Sequence, residues 1–453
     1  AKSLSILRKT DGTKTAAPAT VDYLAVTLSH PRWLIEYLLD EGYTPKQVEV
    51  FCEYNNSHEG VVLRANTLKA SRDEVIAMLA AEGIEAIPGN YAPEAIRLKG
   101  AGGIGKSRVI TGGFAVMQDE ASQLAAHVLN PGSGVRHKGV EPHTVLSQKQ
   151  RRLLAQKPLP VAPLRKVPFS PTSKLAPKSS ILSDSCVHTC DFAGQRPGRS
   201  ARRFWLKTAS HPSRMDWCAE QGSATTQGRI PLLEALTKLQ RIKAPAEAYG
   251  FDSLMPKVLD ICAAPGGKTT HIAQLMENRG ELHAFDVHEH KTLLIEENCR
   301  RLGIDIVQVA AADARTLPES YQAWADYVLL DVPCSGLGVL NRRADARWNK
   351  NHDKIIYMVE ASRELLLAAA DYTKEGGILC FATCTITREE NIDTLRWFLA
   401  ERKDFKLVPL GIGEMLPEDD EYRKTAKEGY VQFFPGRGGL GGFFIAKMRK
   451  NNS

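Results

Sequence analysis

Two cysteines, Cys334 and Cys384, are the residues of this chain best suited to covalent chemistry. Cys334 follows the apolar run 327–332, and Cys384 follows the apolar run 378–382. Each run has the composition of a buried strand, so each thiol begins the loop after a strand. Thiolates are strong nucleophiles, and two of them at neighbouring strand ends indicate covalent attack on an electrophilic ring. A single cysteine in such a run would more simply be a small apolar core residue.

A glycine-rich turn, 263–268, lies upstream of both thiols and follows another strand-like run. Its segment Pro265-Gly266-Gly267 lets the backbone approach a ligand closely and directs N–H groups toward it. Ligands of parallel sheets bind beyond the carboxyl ends of the strands, where carboxylates follow three successive strands here. Asp286 suits a ribose diol, Asp313 suits an exocyclic adenine amine, and Asp331 ends the fourth strand.

Two cofactors fit a ribose-binding acid at this position: a nicotinamide dinucleotide and S-adenosylmethionine. The dinucleotide fingerprint needs Gly-x-Gly-x-x-Gly, whereas this turn offers only Gly266-Gly267, and its spacing also departs from the P-loop pattern. S-adenosylmethionine carries no phosphates, so a shorter loop suffices. The turn therefore favours a methyltransferase, and a nicotinamide dehydrogenase stays as the disfavoured alternative.

The composition is that of a soluble globular protein, with 43% hydrophobic and 25% charged residues. No apolar run approaches the roughly 20 residues that a membrane helix needs. The nine scattered cysteines indicate a reducing compartment rather than a disulfide framework. We expect a monomer in the cytoplasm or in the nucleus and nucleolus, with an organelle as the alternative.

The sequence divides into four parts. Residues 1–20 predict a disordered tail, and residues 21–134 predict a compact α+β subdomain, in which Ser71 and Glu74 form a capping box before a helix. Residues 135–256 are a basic, proline-rich insertion. Residues 257–450 alternate apolar strands with helices, which predicts an α/β domain with a Rossmann-like parallel sheet covered on both faces.

The insertion carries most of the basic character of the chain. It and Lys257 contain 21 Lys+Arg against 8 Asp+Glu, so the net charge of +7 belongs to this segment and the rest is net acidic. Half of the 24 prolines lie there. Such sequence buries too little apolar surface to offset its ordering entropy, so we expect mostly disorder. It is either an RNA-binding addition or a non-native segment of a gene model.

Several motifs of the chain resemble those of the RsmB/Sun/NOL-type RNA cytosine-C5 methyltransferases. The motifs in the predicted catalytic domain are 259–269 (LDICAAPGGKT), 331–336 (DVPCSG), 342–348 (RRADARW), 382–391 (ATCTITREEN) and 442–447 (GFFIAK). Those in the N-terminal subdomain are 29–31 (SHP), 64–66 (RAN) and 118–122 (QDEAS). The pairing of the two parts is closest to the bacterial 16S rRNA enzymes, without a NusB-like domain before residue 21.

This resemblance implies an S-adenosyl-L-methionine-dependent methyltransferase that acts on RNA. It implies that Cys384 adds to carbon 6 of cytosine, that Cys334 assists release, and that Asp331 contacts the pyrimidine ring. Cys262 would contribute only its backbone, because its side chain suits the core. The cofactor-binding residues implied are Cys262, Ala263, Ala264, Pro265, Gly266, Gly267, Lys268, Asp286, Asp313 and Asp331. No metal is implied.

Some alternatives remain open from the sequence. Pro333-Cys334 also resembles the DNA cytosine methyltransferases, in which the Pro-Cys thiol attacks; the second thiol favours the RNA family. Because the base must leave its stack, looped or single-stranded RNA is expected, ribosomal RNA in preference to transfer RNA. A catalytically silent RNA-binding assembly factor is the other alternative. The segment 342–348 offers Arg342, Arg343, Arg347 and Trp348 to hold phosphate and stack a base, or else a solvated loop with a buried tryptophan.

Overall fold

The computed structural model describes residues 18–57, 60–100, 103–131 and 255–452. The predictions for residues 1–17 and for nearly all of the basic insertion lie outside the described residues. The predicted disordered tail, residues 1–20, extends too far toward the C-terminus, because the first helix begins at residue 18. Within the described ranges, no helix combines the length and the apolar character needed to cross a membrane.

The N-terminal part opens with three helices and continues into a small antiparallel sheet. The helices are α1 (Pro18–Thr27), α2 (Arg32–Asp40) and α3 (Pro45–Asn56). The strands, in the spatial order β2-β3-β1-β4, are β1 (Val62–Ala65), β2 (Ala86–Pro88), β3 (Ala95–Leu98) and β4 (Ala115–Met117). Helices α4 (Arg72–Ala81), α5 (Arg108–Thr111) and α6 (Glu120–Leu129) connect or follow the strands. This α+β arrangement is the one expected from the sequence.

Helix α4 begins where the sequence predicts it. The Ser71 hydroxyl accepts from the backbone N–H of Glu74 at 3.3 Å, and the Glu74 carboxylate accepts from the backbone N–H of Ser71 at 2.8 Å. The pair therefore satisfies two of the N–H groups that a helix start leaves without partners.

The catalytic part is an eight-stranded mixed sheet. Its strands are β5 (Lys257–Ile261), β6 (Glu281–Asp286), β7 (Val307–Ala311), β8 (Ala325–Asp331), β9 (Thr373–Thr383), β10 (Phe405–Leu407), β11 (Tyr430–Phe433) and β12 (Phe443–Lys450). The order is β10-β12-β9-β8-β5-β6-β7, with β11 also paired to β12. Strands β5 to β9 are parallel, and β12 is antiparallel to its neighbours. The strand order reverses between β5 and β8, which is where such sheets bind ligands.

Helices cover both faces of this sheet. They are α7 (Gly267–Leu275), α8 (Glu289–Leu302), α9 (His352–Tyr372), α10 (Thr394–Glu401) and α11 (Asp420–Glu428). Successive strand residues belong to opposite faces: Val258 packs in one apolar cluster with α7 and α8, whereas Leu259 packs in another with α9. Because each face needs its own apolar residues, the strands are apolar throughout, and the predicted Rossmann-like α/β fold class is confirmed.

The small sheet and the catalytic sheet belong to one compact unit. Helix α6 joins the apolar cluster of the catalytic sheet through Leu124, Ala125 and Val128. Helices α2 and α3 share a further cluster with Leu337 and Leu340, from the loop after β8. The N-terminal part is therefore packed against the elements that carry the thiols.

A buried polar cluster lies where these two parts meet. Glu94, which precedes β3, contacts His127 of α6 at 3.0 Å and His271 of α7 at 3.6 Å. His271 is fully buried, and neither of its ring nitrogens has a hydrogen-bond partner. Burial, assisted by the positive charge of Arg64, lowers the pKa of His271 to about 3. The ring is thus neutral in the folded protein at neutral pH.

This cluster makes stability depend on acid. The ordinary pKa of histidine is about 6.5, so between pH 6.5 and pH 3 the unfolded chain takes up a proton at His271 that the folded chain refuses. We expect the contribution of His271 to the free energy of unfolding to be fully present above pH 6.5. Below that pH, the free energy of unfolding should fall by up to about 1.4 kcal/mol per pH unit. Urea unfolding at pH 7, 6 and 5 measures this slope. His271→Gln should flatten it, whereas His290→Gln, an exposed control on α8, should not; equal slopes in all three proteins would contradict the prediction.

Candidate active site

The structure brings the two thiols together. Strands β8 and β9 are parallel neighbours with Asp331 opposite Ala382, so the loops that follow them emerge side by side. The Sγ atoms of Cys334 and Cys384 are 3.0 Å apart, and the backbone N–H of Cys384 donates to Cys334 Sγ at 3.3 Å. Gly338 N–H donates to the Cys384 carbonyl at 3.1 Å, which ties the first loop to the second.

The surroundings make the two thiols unequal. The hydrogen bond from Cys334 lowers the pKa of Cys384, against the opposing effect of burial, and the Lys268 ammonium acts in the same sense as that hydrogen bond. The same hydrogen bond and burial raise the pKa of Cys334. These effects favour a thiolate on Cys384 with Cys334 as its protonated partner, although the Cys384 N–H that donates to Cys334 Sγ acts in the opposite sense.

Lys268 connects the cofactor turn to the thiols. Its Nζ lies 2.6 Å from Asp331 Oδ2 and 5.1 Å from the centre of the Phe443 ring. Burial opposes the charged form of Lys268, but the Asp331 carboxylate outweighs it and raises the pKa of Lys268. A fixed ammonium thus lies beside the thiol pair, but the Asp331 carboxylate bound to it raises the pKa of Cys384 more than the ammonium lowers it.

The glycine-rich turn has the backbone form that a close-lying ligand requires. Gly266 has a φ of 95°, and a Cβ on it would lie 3.1 Å from Ile295. The turn is held from outside: Thr269 Oγ1 donates to Asp260 Oδ2 at 2.6 Å, and Asn298 donates to the Pro265 carbonyl at 2.9 Å. A side chain at Gly266 would be strained at this φ and would press against α8, so the glycine lets the turn pack closely on that helix.

The carboxylates at the strand ends differ in how they are held. Asp286 is 8% exposed and accepts from the backbone N–H groups of Ala264 at 3.4 Å and His288 at 3.0 Å. Asp313 instead pairs with Arg315 at 2.6 Å, which lowers the pKa of the carboxyl. Its predicted contact with an adenine amine therefore competes with this arginine and stays a prediction.

Cys262 has the surroundings expected of a core side chain. It packs against the apolar cluster that contains Leu259, and its φ of 62° turns the backbone into the glycine-rich turn. Burial raises the pKa of its thiol, and the surrounding carboxylates add to the effect. These carboxylates are Asp331, Asp286, Asp260 and Asp313. They surround the start of the turn, which fits a ligand that carries hydroxyl and amino groups.

Sequence reasoning missed one residue that reaches the cofactor turn from the N-terminal sheet. Arg64 on β1 is fully buried, and its guanidinium donates to the Gly267 carbonyl at 2.5 Å, to Thr270 Oγ1 at 2.9 Å and to Gln118. Burial lowers its pKa to about 9. An arginine within the apolar run 61–65 was the signal for it, because a strand that is buried on both faces rarely carries a cation.

We expect Arg64 to determine how tightly the turn binds its ligand. Arg64→Met keeps the apolar stem but removes the donors that hold the Gly267 carbonyl, so the dissociation constant of S-adenosylhomocysteine should rise about tenfold or more. Titration calorimetry measures this value. Arg108→Met, whose side chain is 89% exposed, serves as the control and should bind as the wild type does. An unchanged dissociation constant of S-adenosylhomocysteine in Arg64→Met would contradict the expectation that Arg64 determines how tightly the turn binds its ligand.

The arginine-rich segment 342–348 is only partly as predicted. Arg347 is 6% exposed and donates to the carbonyls of Ser29 and Asn55 and to the Asn56 side chain at 2.8–3.1 Å, so it joins the two parts of the unit and is not available to a phosphate. The buried-tryptophan alternative is also wrong, because Trp348 is 61% exposed. Arg342 pairs with Asp119, and Arg343 is exposed.

The fold and the site together define a Rossmann-like methyltransferase that uses S-adenosyl-L-methionine. The chain belongs to the RsmB/F family of RNA methyltransferases. Residues 254–449 match the family model described as 16S rRNA methyltransferase RsmB/F, and residues 30–105 match the ferredoxin-like domain of the same family. The family resemblance expected from the motifs is therefore confirmed.

Two curated relatives cover nearly the whole chain. A probable ribosomal RNA small subunit methyltransferase B from Bacillus subtilis is 28% identical over 94% of this chain and 68% of its own length. A tRNA (cytosine(72)-C(5))-methyltransferase from Pyrococcus horikoshii is 27% identical over 93% of this chain and 97% of its own length. The crystal structure of a methyltransferase homolog protein from Pyrococcus horikoshii has the same fold, with a TM-score of 0.59 at 20% identity over 96% of this chain and 100% of that one.

Proposed function

We propose that this chain methylates carbon 5 of cytosine in RNA through a covalent adduct on Cys384. The observation that carries the proposal is the thiol pair, 3.0 Å apart, beside the Lys268–Asp331 ion pair. Carbon 5 of cytosine is a poor nucleophile until a thiolate adds to carbon 6 and makes it enamine-like. A methyltransferase of this family with two thiols at its centre is suited to that route.

The residues divide the work between addition and release. The Cys384 thiolate forms a bond to carbon 6, and the electron pair moves toward carbon 5. Bound S-adenosyl-L-methionine supplies the methyl group that carbon 5 receives, and the residues of the turn 262–268 with Asp286 and Asp313 would hold it. Once Cys384 is bonded to carbon 6 it no longer raises the pKa of Cys334, so Cys334 can lose its own proton to solvent and take the carbon-5 proton. The electron pair left on carbon 5 restores the ring double bond and expels the Cys384 thiolate.

Asp331 is suited to contact the base as well as the cofactor. Its carboxylate lies three residues before Cys334 and holds the Lys268 ammonium at 2.6 Å. A carboxylate beside the ring favours a protonated pyrimidine, and protonation draws electrons away from carbon 6 and eases thiolate addition. The Asp331 carboxylate raises the pKa of Cys384 and the Lys268 ammonium lowers it, so their pairing keeps the charge beside the attacking thiol nearly balanced.

Ribosomal RNA is the substrate we prefer. The match of residues 254–449 to the 16S rRNA family and the RsmB relative support it. Transfer RNA is the second candidate, because the relative named for tRNA cytosine 72 is matched along 97% of its own length. In both cases a base must be extruded from its stack to reach the half-buried thiols.

The test uses the full-length protein with labelled S-adenosyl-L-methionine and two unmodified transcripts, 16S rRNA and a tRNA pool. We expect label in RNA, and bisulfite sequencing should place it at cytosine carbon 5. Label in the tRNA pool alone would reject the rRNA preference but keep the reaction. Binding of both RNAs with no transfer to either would reject the enzyme and support the silent assembly factor.

A further inference from the structure

A buried carboxylate joins the two thiol loops at a point that the proposed reaction does not use. Glu390 is 1% exposed and lies in a π-helical turn, Glu389–Asp393, after the Cys384 loop. Its Oε1 accepts from the backbone N–H of Ser335 at 2.6 Å. Its Oε2 accepts from the hydroxyls of Ser335 at 2.6 Å, Thr387 at 2.6 Å and Thr385 at 3.2 Å.

The partners of Glu390 include the residues that directly follow each of the two thiols. Ser335 follows Cys334 directly, and Thr385 follows Cys384 directly. The Ser335 and Thr385 hydroxyls are also 2.6 Å apart, so the carboxylate closes a network that spans the two loops. Asn391 secures the same loop from the other side: it accepts from Thr383 Oγ1 at 2.5 Å and donates to the Thr385 carbonyl at 3.1 Å.

No cation contacts the Glu390 carboxylate among the described residues, whose ion pairs do not include it. A buried carboxylate is costly, and four hydrogen-bond donors offset that cost only while both loops keep their places. Its negative charge also raises the pKa of both neighbouring thiols. The Glu390 carboxylate thus opposes formation of the thiolate that the proposed reaction needs. Its presence is explained if its effect on the positions of the two loops is more important than its effect on the thiol pKa.

We propose that Glu390 is a positioning residue that fixes Cys334 against Cys384, so that the releasing thiol stays within reach of a base attached to the other. The inference rests on the proposed function and deepens it. Release depends on the placement of both loops more directly than attack does: attack uses Cys334 only to lower the pKa of Cys384, whereas release needs Cys334 held beside the adduct.

Glu390→Gln tests this with little change of shape. The amide nitrogen cannot accept, so at least one of the donors on the two loops loses its acceptor. We expect kcat to fall about 10- to 100-fold with the KM for RNA within about twofold, and the fraction of enzyme caught as covalent RNA adduct to rise about fivefold. Glu389→Gln, the adjacent carboxylate that bonds Tyr37 instead, is the matched control and should behave as the wild type.

A second measurement separates this inference from the reaction itself. The pH dependence of iodoacetamide alkylation at Cys384, followed by peptide mass spectrometry, needs no RNA. In Glu390→Gln the midpoint should move to higher pH, because a displaced Cys334 no longer donates to Cys384, and this effect is larger than the opposite effect of losing the Glu390 charge. Thr387→Val, which removes one donor distant from the thiols, should raise the adduct fraction less and keeps the test possible if Glu390→Gln folds poorly.

The outcomes are distinct. A wild-type protein that transfers no methyl group overturns the proposed function, and the alkylation midpoint then still decides whether Glu390 acts on the thiols. A fall in kcat without more adduct and without a shift in the alkylation midpoint would mean that Glu390 is only structural, and would overturn the inference. Unchanged kcat in Glu390→Gln would overturn it as well.

Discussion

We expect replacement of Cys384 by alanine to lower methyl transfer to RNA by about a thousandfold or more, because its thiolate is the proposed nucleophile and the neighbouring Cys334 thiol has a raised pKa. The same variant forms no covalent complex with RNA that contains 5-fluorocytidine, an analogue that blocks loss of the carbon-5 substituent. Filter-bound radioactivity measures the first effect, and a denaturing gel measures the second.

The controls for this result separate the two thiol assignments. Cys299→Ala removes a buried thiol on α8, outside the site, and should retain most of the activity. If Cys334 were the attacking thiol, as in the DNA enzymes, Cys384→Ala would still form the complex and Cys334→Ala would not. Full activity of Cys384→Ala would refute the mechanism proposed here.

In the Cys334→Ala variant, protein linked to RNA accumulates with the natural base. Attack by Cys384 continues, but the step that frees it is slowed, so the adduct survives as a slower-moving band that ribonuclease removes. We expect a majority of the enzyme in this band under conditions where the wild type shows almost none. Alanine also removes the hydrogen bond at 3.0 Å that lowers the pKa of Cys384, so attack should need a higher pH.

Cys334→Ala/Cys384→Ala decides whether the band depends on the proposed bond. The double variant should show no band, and its cofactor affinity should stay close to that of the wild type, since the hydrogen bonds of the two thiol groups are to each other's residues. A band in the double variant would mean that another nucleophile is present. A Cys334→Ala protein that turns over freely would remove Cys334 from the release step.

The sequence was sufficient wherever function depends on neighbours along the chain. The capping box of Ser71 and Glu74, the strand before each thiol and the turn at Gly266-Gly267 are all local patterns, and the structure contains each of them. The meeting of Cys334 with Cys384 also followed, because parallel strands bring their carboxyl ends to one edge of a sheet.

What the sequence could not supply depends on partners far along the chain. Arg64 reaches Gly267 across 203 residues, and Arg347 reaches Ser29 across 318. The apolar run around Arg64 indicates that it is buried, but the partners of both arginines do not follow from local sequence. Asp313 differs in kind: its arginine is two residues away, but the pairing depends on a turn that composition does not fix. The hydrogen-bond partners of long side chains with several donors are hard to predict from sequence, because tertiary packing determines which acceptors lie within reach.

Strand β12 has a consequence for how the protein is made. It lies between β9 and β10, and its Phe444 is opposite Thr383, the residue before Cys384. Gly442, just before it, donates to the Gly338 carbonyl at 2.7 Å. Until residues 443–450 leave the ribosome, β9 is an unpaired edge strand on that side, and the Cys384 loop lacks the neighbouring strand that packs beside it. Nascent chains, which emerge beside large amounts of RNA, therefore gain an ordered thiol site only after β12 has been synthesised.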